Sequence, residues 1–413
     1  MPKSQILSDE ELQTLTEPFL PEGFSKDSAL ALAATACLGM VTEPGDRMAG
    51  ALARVLGPLE LASLLVDGLE TKQVVRALAA YDCVEEFRIS FGDFESTLAD
   101  TRQRWLPRVS KSRLEHLFTR SQSQGLKLIT PDHTSWPSGL NDLQDSAPTM
   151  LFVEGNLSCL SELENAVSIV GSRAATPYGR QVSAQIVAQL AKAKKPSVSG
   201  GALGIDACVH QFSIANGIST VAVMAGGLDR KYPVGNAELF RQIQNRGALI
   251  SEMPPGVAPT RWRFLQRNRL IAALSPTTIV VEAGMRSGSI RTANNALELD
   301  RELLAVPGSV FSATSAGTNN LIAENKAVAL SDLNNFLVKA TPAAIVTTES
   351  ALAQRAKDAI RESTSMTKSE IAKVAGLTVN ELEIALGELV EQNHVVQDHT
   401  SRGELYYALK YAQ

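Results

Sequence analysis

The sequence predicts an α/β protein: a doubly wound, mostly parallel sheet, with an all-α unit before it and a helix–turn–helix–hairpin unit after it. Three observations carry that prediction. Short apolar runs bounded by glycine (LKLIT, TMLFVEG, AVSIVG, PSVSG, STVAVMAGG, ALISEMP, TTIVVEAG and ELLAVPG) mostly lack apolar–polar alternation, so they read as strands covered on both faces. Helical stretches of 10 to 18 residues separate them, and strand, glycine loop, helix, strand is the rhythm of a parallel sheet. The composition also changes abruptly, once at Trp105-Leu106-Pro107 and again near Phe336.

Taken in order, residues 1 to about 25 hold acidic groups and three prolines and read as a loose arm. Ser28 to Arg88 is rich in Ala and Leu at spacings of three and four, the mark of short amphipathic helices, so residues 1–110 form the helical unit. The sheet unit covers 111–337 and begins with a helix over SRLEHLFTRSQSQG. Its internal helices are YGRQVSAQIVAQLAKA, IDACVHQFSIANG, AELFRQIQNRG and SIRTANNALELD. Residues 338–366 have linker composition, with ALAQRAKDAIRES as a short helix inside the connection. TKSEIAKVAG, TVNELEIALGELVEQ and HVVQDHTSRGELYYAL then give a winged helix over 367–413.

Composition bounds the function. A chain of 413 residues exceeds one ordinary core, and 44% apolar with 20% charged residues excludes a mainly disordered one. No uninterrupted apolar run reaches the ~18 residues of a membrane span, and the acidic amino terminus lacks the order of a secretory signal. The expected location is therefore the cytoplasm. Cys37, Cys83, Cys159 and Cys208 are scattered, without a CxxC pair or histidines at ligand spacing, so neither disulfides nor a metal is expected. Net charge is 39 − 44 = −5, and any polyanion site must be a local concentration of positive charge on an acidic body.

Four strand ends offer such a site. At the first, Gly171-Ser172-Arg173 joins a glycine turn to a hydroxyl and a guanidinium fork. Ser199-Gly200-Gly201-Ala202-Leu203-Gly204 holds three glycines in five residues, leaving backbone N–H groups bare toward a phosphate. It is not a dinucleotide fingerprint, because Ser199 stands where the first glycine of GxGxxG belongs. Asp206, just after it, reads only as a helix cap.

The third site is the strongest. Arg261-Trp262-Arg263-Phe264-Leu265-Gln266-Arg267-Asn268-Arg269 interleaves four arginines with aromatics, and residues 261–291 hold six arginines against Glu282 alone. No carboxylate stands at i+4 to pair with them, so they point to polyanion binding. At the fourth, Arg286-Ser287-Gly288-Ser289 opens a helix with hydroxyls and amides. There is no GxxxxGK[ST], HExxH or GxSxG string, and none of the five histidines falls on these strand ends. The rim therefore reads as built to bind, with no catalytic residue, metal or cofactor. The rival reading is a nucleotide or phosphoribosyl hydrolase on a related sheet, for which Glu252 and Glu282 are the candidate acids.

In combination, IVGSRAATPYG, SVSGGALGIDACVH, AGGLDRKYPVGN, ALISEMPPGVAPTRWRFLQRNRLIAALS, TIVVEAGMRSGSIRTA and LAVPG resemble the DNA-processing protein A family (DprA, also called Smf) over about residues 125–325. That resemblance implies a Rossmann-like domain, behind a SAM-like helical one, that binds single-stranded DNA. It also implies protection of incoming DNA during natural transformation, help in loading RecA recombinase, and a homodimer. Arg173 and the Arg267-Asn268-Arg269 string fall on the family's GSR and RNR motifs. The chain departs from the family pattern at Leu265, where proline is usual, and at Asp300, where glycine is. It also departs at Val234-Gly235, where a lysine is common, with Lys231 nearby. The final predicted helix, Thr378 to Gln392, carries Glu381, Glu383, Glu388 and Glu391 without Lys or Arg, which speaks against DNA reading by it.

Overall fold

The computed structural model describes residues 7–334, 336–337, 350–361, 366–391, 394–400 and 403–408. It divides into two compact units, 1–337 and 338–413.

Seven helices open the first unit: α1 (Asp9–Thr16), α2 (Lys26–Val41), α3 (Arg47–Val66), α4 (Thr71–Ala79), α5 (Val84–Phe91), α6 (Phe94–Trp105) and α7 (Lys111–Ser123). The expected loose arm is in part helix α1. Ser8 and Glu11 form a reciprocal capping box that satisfies its first amides, a signal the acidic composition hid. Helix α3 is apolar and long enough by composition to cross a membrane, but Gly57 leaves helical geometry at φ +74° ahead of Pro58. Its Leu52, Leu56, Leu61 and Leu65 are buried in the protein's own core. These helices do not form a separate core. Leu38, Leu52, Phe87, Trp105 and Phe118 share one apolar cluster with Phe152, Met224 and Phe240 of the sheet unit.

Nine strands follow among the described residues: β1 (Lys127–Ile129), β2 (Leu151–Gly155), β3 (Val167–Val170), β4 (Ser197–Ser199), β5 (Thr220–Met224), β6 (Ala248–Ser251), β7 (Thr277–Val280), β8 (Glu302–Ala305) and β9 (Val328–Ala329). Their spatial order is β1-β2-β6-β5-β4-β3-β7-β8-β9. From β6 to β9 every neighbour is parallel, and β1 and β2 run antiparallel at one edge. The eight apolar runs read from sequence are β1 to β8; β9, two residues long, has no pattern to read. The intervening helices are α8 (Pro177–Lys192), α9 (Ile205–Ala215), α10 (Ala237–Arg246), α11 (Arg261–Ala273), α12 (Gly288–Glu298) and α13 (Ala316–Ala323). Ile169 packs in the cluster that includes Ile186 and Val209 of α8 and α9, whereas its neighbour Val170 packs with Leu270 and Ala293 of α11 and α12. Strand residues thus face opposite layers in alternation, and both faces are apolar because both are covered. The chain winds outward from β3 to β6 and returns to β7 beside β3. That junction is where a doubly wound sheet opens a crevice beyond its strand ends.

The second unit contains α14 (Ala351–Arg361), α15 (Lys368–Ala375), α16 (Val379–Glu391) and a three-stranded antiparallel sheet ordered β10 (Met366–Thr367), β12 (Gly403–Ala408), β11 (Val395–Thr400). Helix α14 is the short helix expected inside the 338–366 connection. Helix α14 belongs to this unit's core, since Ala353, Ala356 and Ile360 are buried with Ile371, Leu382 and Leu389. The remaining linker residues, 338–349 and 362–365, lie outside the described ones.

His210 of α9 is fully buried, and its Nδ1 lies 2.7 Å from Thr220 Oγ1. Burial first, and the nearby Arg267 charge second, push its pKa down to about 3. The folded chain therefore keeps this ring neutral, while the unfolded chain protonates it near pH 6.5. Stability present at neutral pH is lost as pH falls below about 6.5, by about 1.4 kcal/mol per unit for this one proton. Equilibrium unfolding between pH 7.5 and 5 should show that slope, and His210→Leu should reduce it by one proton. An unchanged slope in the variant contradicts the assignment.

Candidate nucleic-acid interface

The crevice at the β3/β7 junction is a groove of about 530 Å³. The loop after β3 lines it with Gly171, Ser172 and Arg173, the loop after β7 with Gly284 and Arg286 to Ser289, and α11 with Phe264, Leu265, Arg267 and Asn268. Three stretches far apart in sequence therefore meet at one strand-end rim, as the motif reading required. A larger cavity, about 1240 Å³, lies among α2, α3 and β1. Its lining is mainly apolar and takes nothing from the loops that follow the parallel strands.

The rim's accessible cations are Arg173 and Arg286, both exposed and without an ion pair among the described residues. The Arg173 guanidinium lies 5.4 Å from the centre of the Phe264 ring, and Arg267 lies 5.9 Å from the same ring. Phe264 also meets Tyr232 edge-on at 5.7 Å. These contacts, which sequence spacing does not show, hold Arg173 over an aromatic face and leave Tyr232 about half exposed. Trp262 is exposed too, but two residues from Phe264 on a helix is a rotation of about 200°, so its side chain leaves on the other side. The head of α12 faces the groove with Ser287 as its cap, and a Cβ on Gly288 would meet nothing.

Several expected contact residues are engaged by partners within the fold. Arg263 donates from Nε and Nη2 to both oxygens of Glu43, at 3.1 and 3.0 Å. Arg269, buried, donates to both oxygens of Glu252 at 2.9 and 2.7 Å. Arg267 is buried and donates to Val223 O at 3.0 Å; burial pushes its pKa down to about 10, against the pull of Asp206. Asn268 donates to Gly288 O at 3.1 Å, and Ser289, buried, to Gly171 O at 2.8 Å. Ser199 is fully buried and donates to Ile169 O. Partners from other parts of the chain, Glu43 and Glu252, supply the carboxylates that α11 lacks at i+4.

The glycine loop is engaged in the same way. Its amides are not bare: Gly200 and Ala202 donate N–H bonds to Asp206 Oδ2 at 3.2 and 3.3 Å, and the Gly171 backbone also bonds this carboxylate. Burial raises the Asp206 pKa, while Arg267 and these amides draw it back. A Cβ at Gly200 would stand 1.8 Å from Arg267 Nη1, and one at Gly204 (φ +83°) 2.2 Å from Ser172 O. Close packing therefore requires Gly200 and Gly204, and Gly201 is buried against Phe240.

The acids that a hydrolase would use are occupied. Glu252 is held by Arg269, and Glu282 is 1% exposed, accepting bonds from Thr176 N and Oγ1 at the head of α8. Lys231 is paired with Glu154 at 3.0 Å. Asp300 takes a left-handed φ of +52°, a conformation aspartate tolerates where glycine is usual.

The model of the DNA recombination-mediator protein A family matches residues 127–341. The DNA processing protein DprA of Mycobacterium tuberculosis is 38% identical over 299 residues, 70% of each chain. That of Streptococcus pneumoniae is 36% identical over 270 residues, 64% of this chain and 92% of its own. The crystal structure of S. pneumoniae DprA covers 74% of this chain and 95% of its own, with a TM-score of 0.56 at 28% identity. With its motif strings gathered on one groove and this likeness over most of its length, the chain belongs to the DNA recombination-mediator protein A (DprA/Smf) family.

Proposed function

We propose that this protein binds single-stranded DNA in the groove at the β3/β7 junction and does so without catalysis. The observation that carries the reading is the convergence of exposed Arg173 and Arg286 with the acid-free head of α12 at the sheet's switch point. Arg173, Arg286, Ser172, Ser287 and the Gly288 amide take phosphates, Gly171 shapes the turn, and Arg267 with Asn268 forms a charged floor beneath them. Backbone contacts of this kind carry no base code, so binding is weakly selective for sequence. The hydrolase reading loses its support because Glu252 and Glu282 are both engaged internally.

Family membership supports the finer roles that we propose for this Rossmann-like protein: protecting incoming DNA, helping to load RecA and acting as a homodimer in the cytoplasm. The C-terminal unit is proposed as a winged helix that does not read DNA. Its α16 holds Glu381, Glu383, Glu388 and Glu391 with no Lys or Arg, and carboxylates repel phosphate.

Binding measured against salt with single-stranded oligonucleotides tests the electrostatic core of the reading. Each phosphate contact contributes about −0.7 to the slope of log affinity on log salt, so Arg173→Ala with Arg286→Ala should bring the slope about 1.4 closer to zero. A wild-type slope near zero refutes the mechanism. Arg269→Ala should instead destabilise the fold by about 3 kcal/mol, through the uncompensated, partly buried Glu252, with the slope unchanged in the folded protein.

The aromatic geometry gives a second contrast. Stacking on one base is worth about 1–3 kcal/mol, so Tyr232→Ala should weaken single-strand binding roughly 5- to 150-fold. Trp262→Ala should change it less than about twofold, since that ring leaves the other side of α11. Equal losses in the two variants, by fluorescence anisotropy, place the strand across the outer face of α11 and reject the groove.

A further inference from the structure

Two carboxylates occupy two of the places where this sheet would otherwise seat a small anion, the glycine loop before α9 and the head of α8. Helix N-termini and glycine-loop amides are phosphate seats because unpaired N–H groups and the helix dipole converge there. The seat above α9 is filled by Asp206, which takes the Gly200 and Ala202 amides, is bonded by the Gly171 backbone, and lies in the field of buried Arg267. It is only 6% exposed. The seat above α8 is filled by Glu282, which takes the Thr176 amide and hydroxyl.

Gly179 is the second sign that the α8 seat is built for a carboxylate. A Cβ there would lie 2.2 Å from Glu282 Oε2. At Gly200 a Cβ would lie 2.7 Å from Asp206 Oδ2. Both glycines thus clear room for an acid supplied by the chain itself. The two carboxylates come from different elements, one from the first turn of α9 and one from the end of β7. The same solution therefore occurs twice.

We propose that Asp206 and Glu282 are specificity-determining residues: as resident anions they close both seats to inorganic phosphate and nucleoside monophosphates. The proposal rests on the single-strand reading in one respect, that the groove, at whose edge Asp206 lies, remains for a polymer. A mononucleotide brings about two negative charges to one point, where a carboxylate already holds the amides and repels it. A strand spreads its charge along Arg173, Arg286 and the head of α12, whose first turn carries no acid.

The test is thermal unfolding of the full chain in phosphate, in AMP, and in chloride of equal ionic strength, for wild type, Asp206→Ala and Glu282→Ala. Wild type should gain less from phosphate or AMP than either variant does. Each variant, with its seat vacated, should be stabilised by phosphate or AMP, by about 2 °C at a tenfold excess over Kd. Stabilisation of wild type equal to that of the variants overturns the proposal, as does a folded variant that responds to neither probe. Should Asp206→Ala be recovered unfolded, refolding in phosphate against chloride asks the same question: recovery in phosphate supports the inference and equal failure in both overturns it. Single-strand binding by wild type, measured beside these, is a separate result. Its absence defeats the functional reading and leaves the phosphate comparison standing.

Discussion

The buried charge of Arg267 is the constraint around which the strand-end rim is arranged. It reaches from α11 across the ends of the central strands, bonds the Val223 carbonyl and lies beneath the glycine loop. A buried guanidinium needs compensation nearby, and Asp206 supplies it at the start of α9. Asp206 in turn ties the loop after β4 through Gly200 and Ala202 and the loop after β3 through Gly171. One charge thus fixes the relative position of three connections that sequence leaves independent. Phe264, with Arg173 and Arg267 both against its ring, extends the same arrangement to the surface.

This accounts for the division of labour among the arginines. Guanidiniums at 263, 267 and 269 are turned inward and compensated by Glu43, Asp206 and Glu252, and they set geometry. Those at 173 and 286 stay in water, where the desolvation cost is small and the charge is free to meet phosphate. On a chain of net charge −5, an uncompensated pair at a concave rim gives a local field opposite in sign to that of the body.

The architecture was legible because its signals are local. Buried parallel strands leave continuous apolar runs, helices leave three- and four-residue spacing, and β1 to β8 emerge from those patterns alone. The meeting of the GSR, RNR and SGS strings at one groove was legible too, since topology brings strand ends together. What was not legible is long-range pairing. Glu43 is 220 residues from Arg263, and no spacing rule connects them. Missing i+4 acids therefore read as free charge when the acids came from elsewhere. The glycines at 200 and 204 misled for a related reason: a bare loop and a tightly packed one have the same sequence, and only neighbours distinguish them. Helix α14 was placed in a connection because its apolar face is short, and its packing against α16 is tertiary information.

Rigidity and selectivity have a common origin in this rim. Amides engaged by Asp206 cannot also reorganise around a ligand, so the loops after β3 and β4 present one shape before any strand arrives. A preformed surface avoids the ordering cost that a mobile loop would bring to binding. The same bonds remove the donors that a compact phosphate needs, leaving side chains spaced along the groove as the remaining attraction. An extended ligand suits that arrangement, because Arg173, Arg286 and the head of α12 lie on separate elements along the groove. The internal carboxylates therefore do two things by one set of hydrogen bonds: they hold the loop after β4 in one shape and, on the proposed reading, they favour an extended ligand over a compact one.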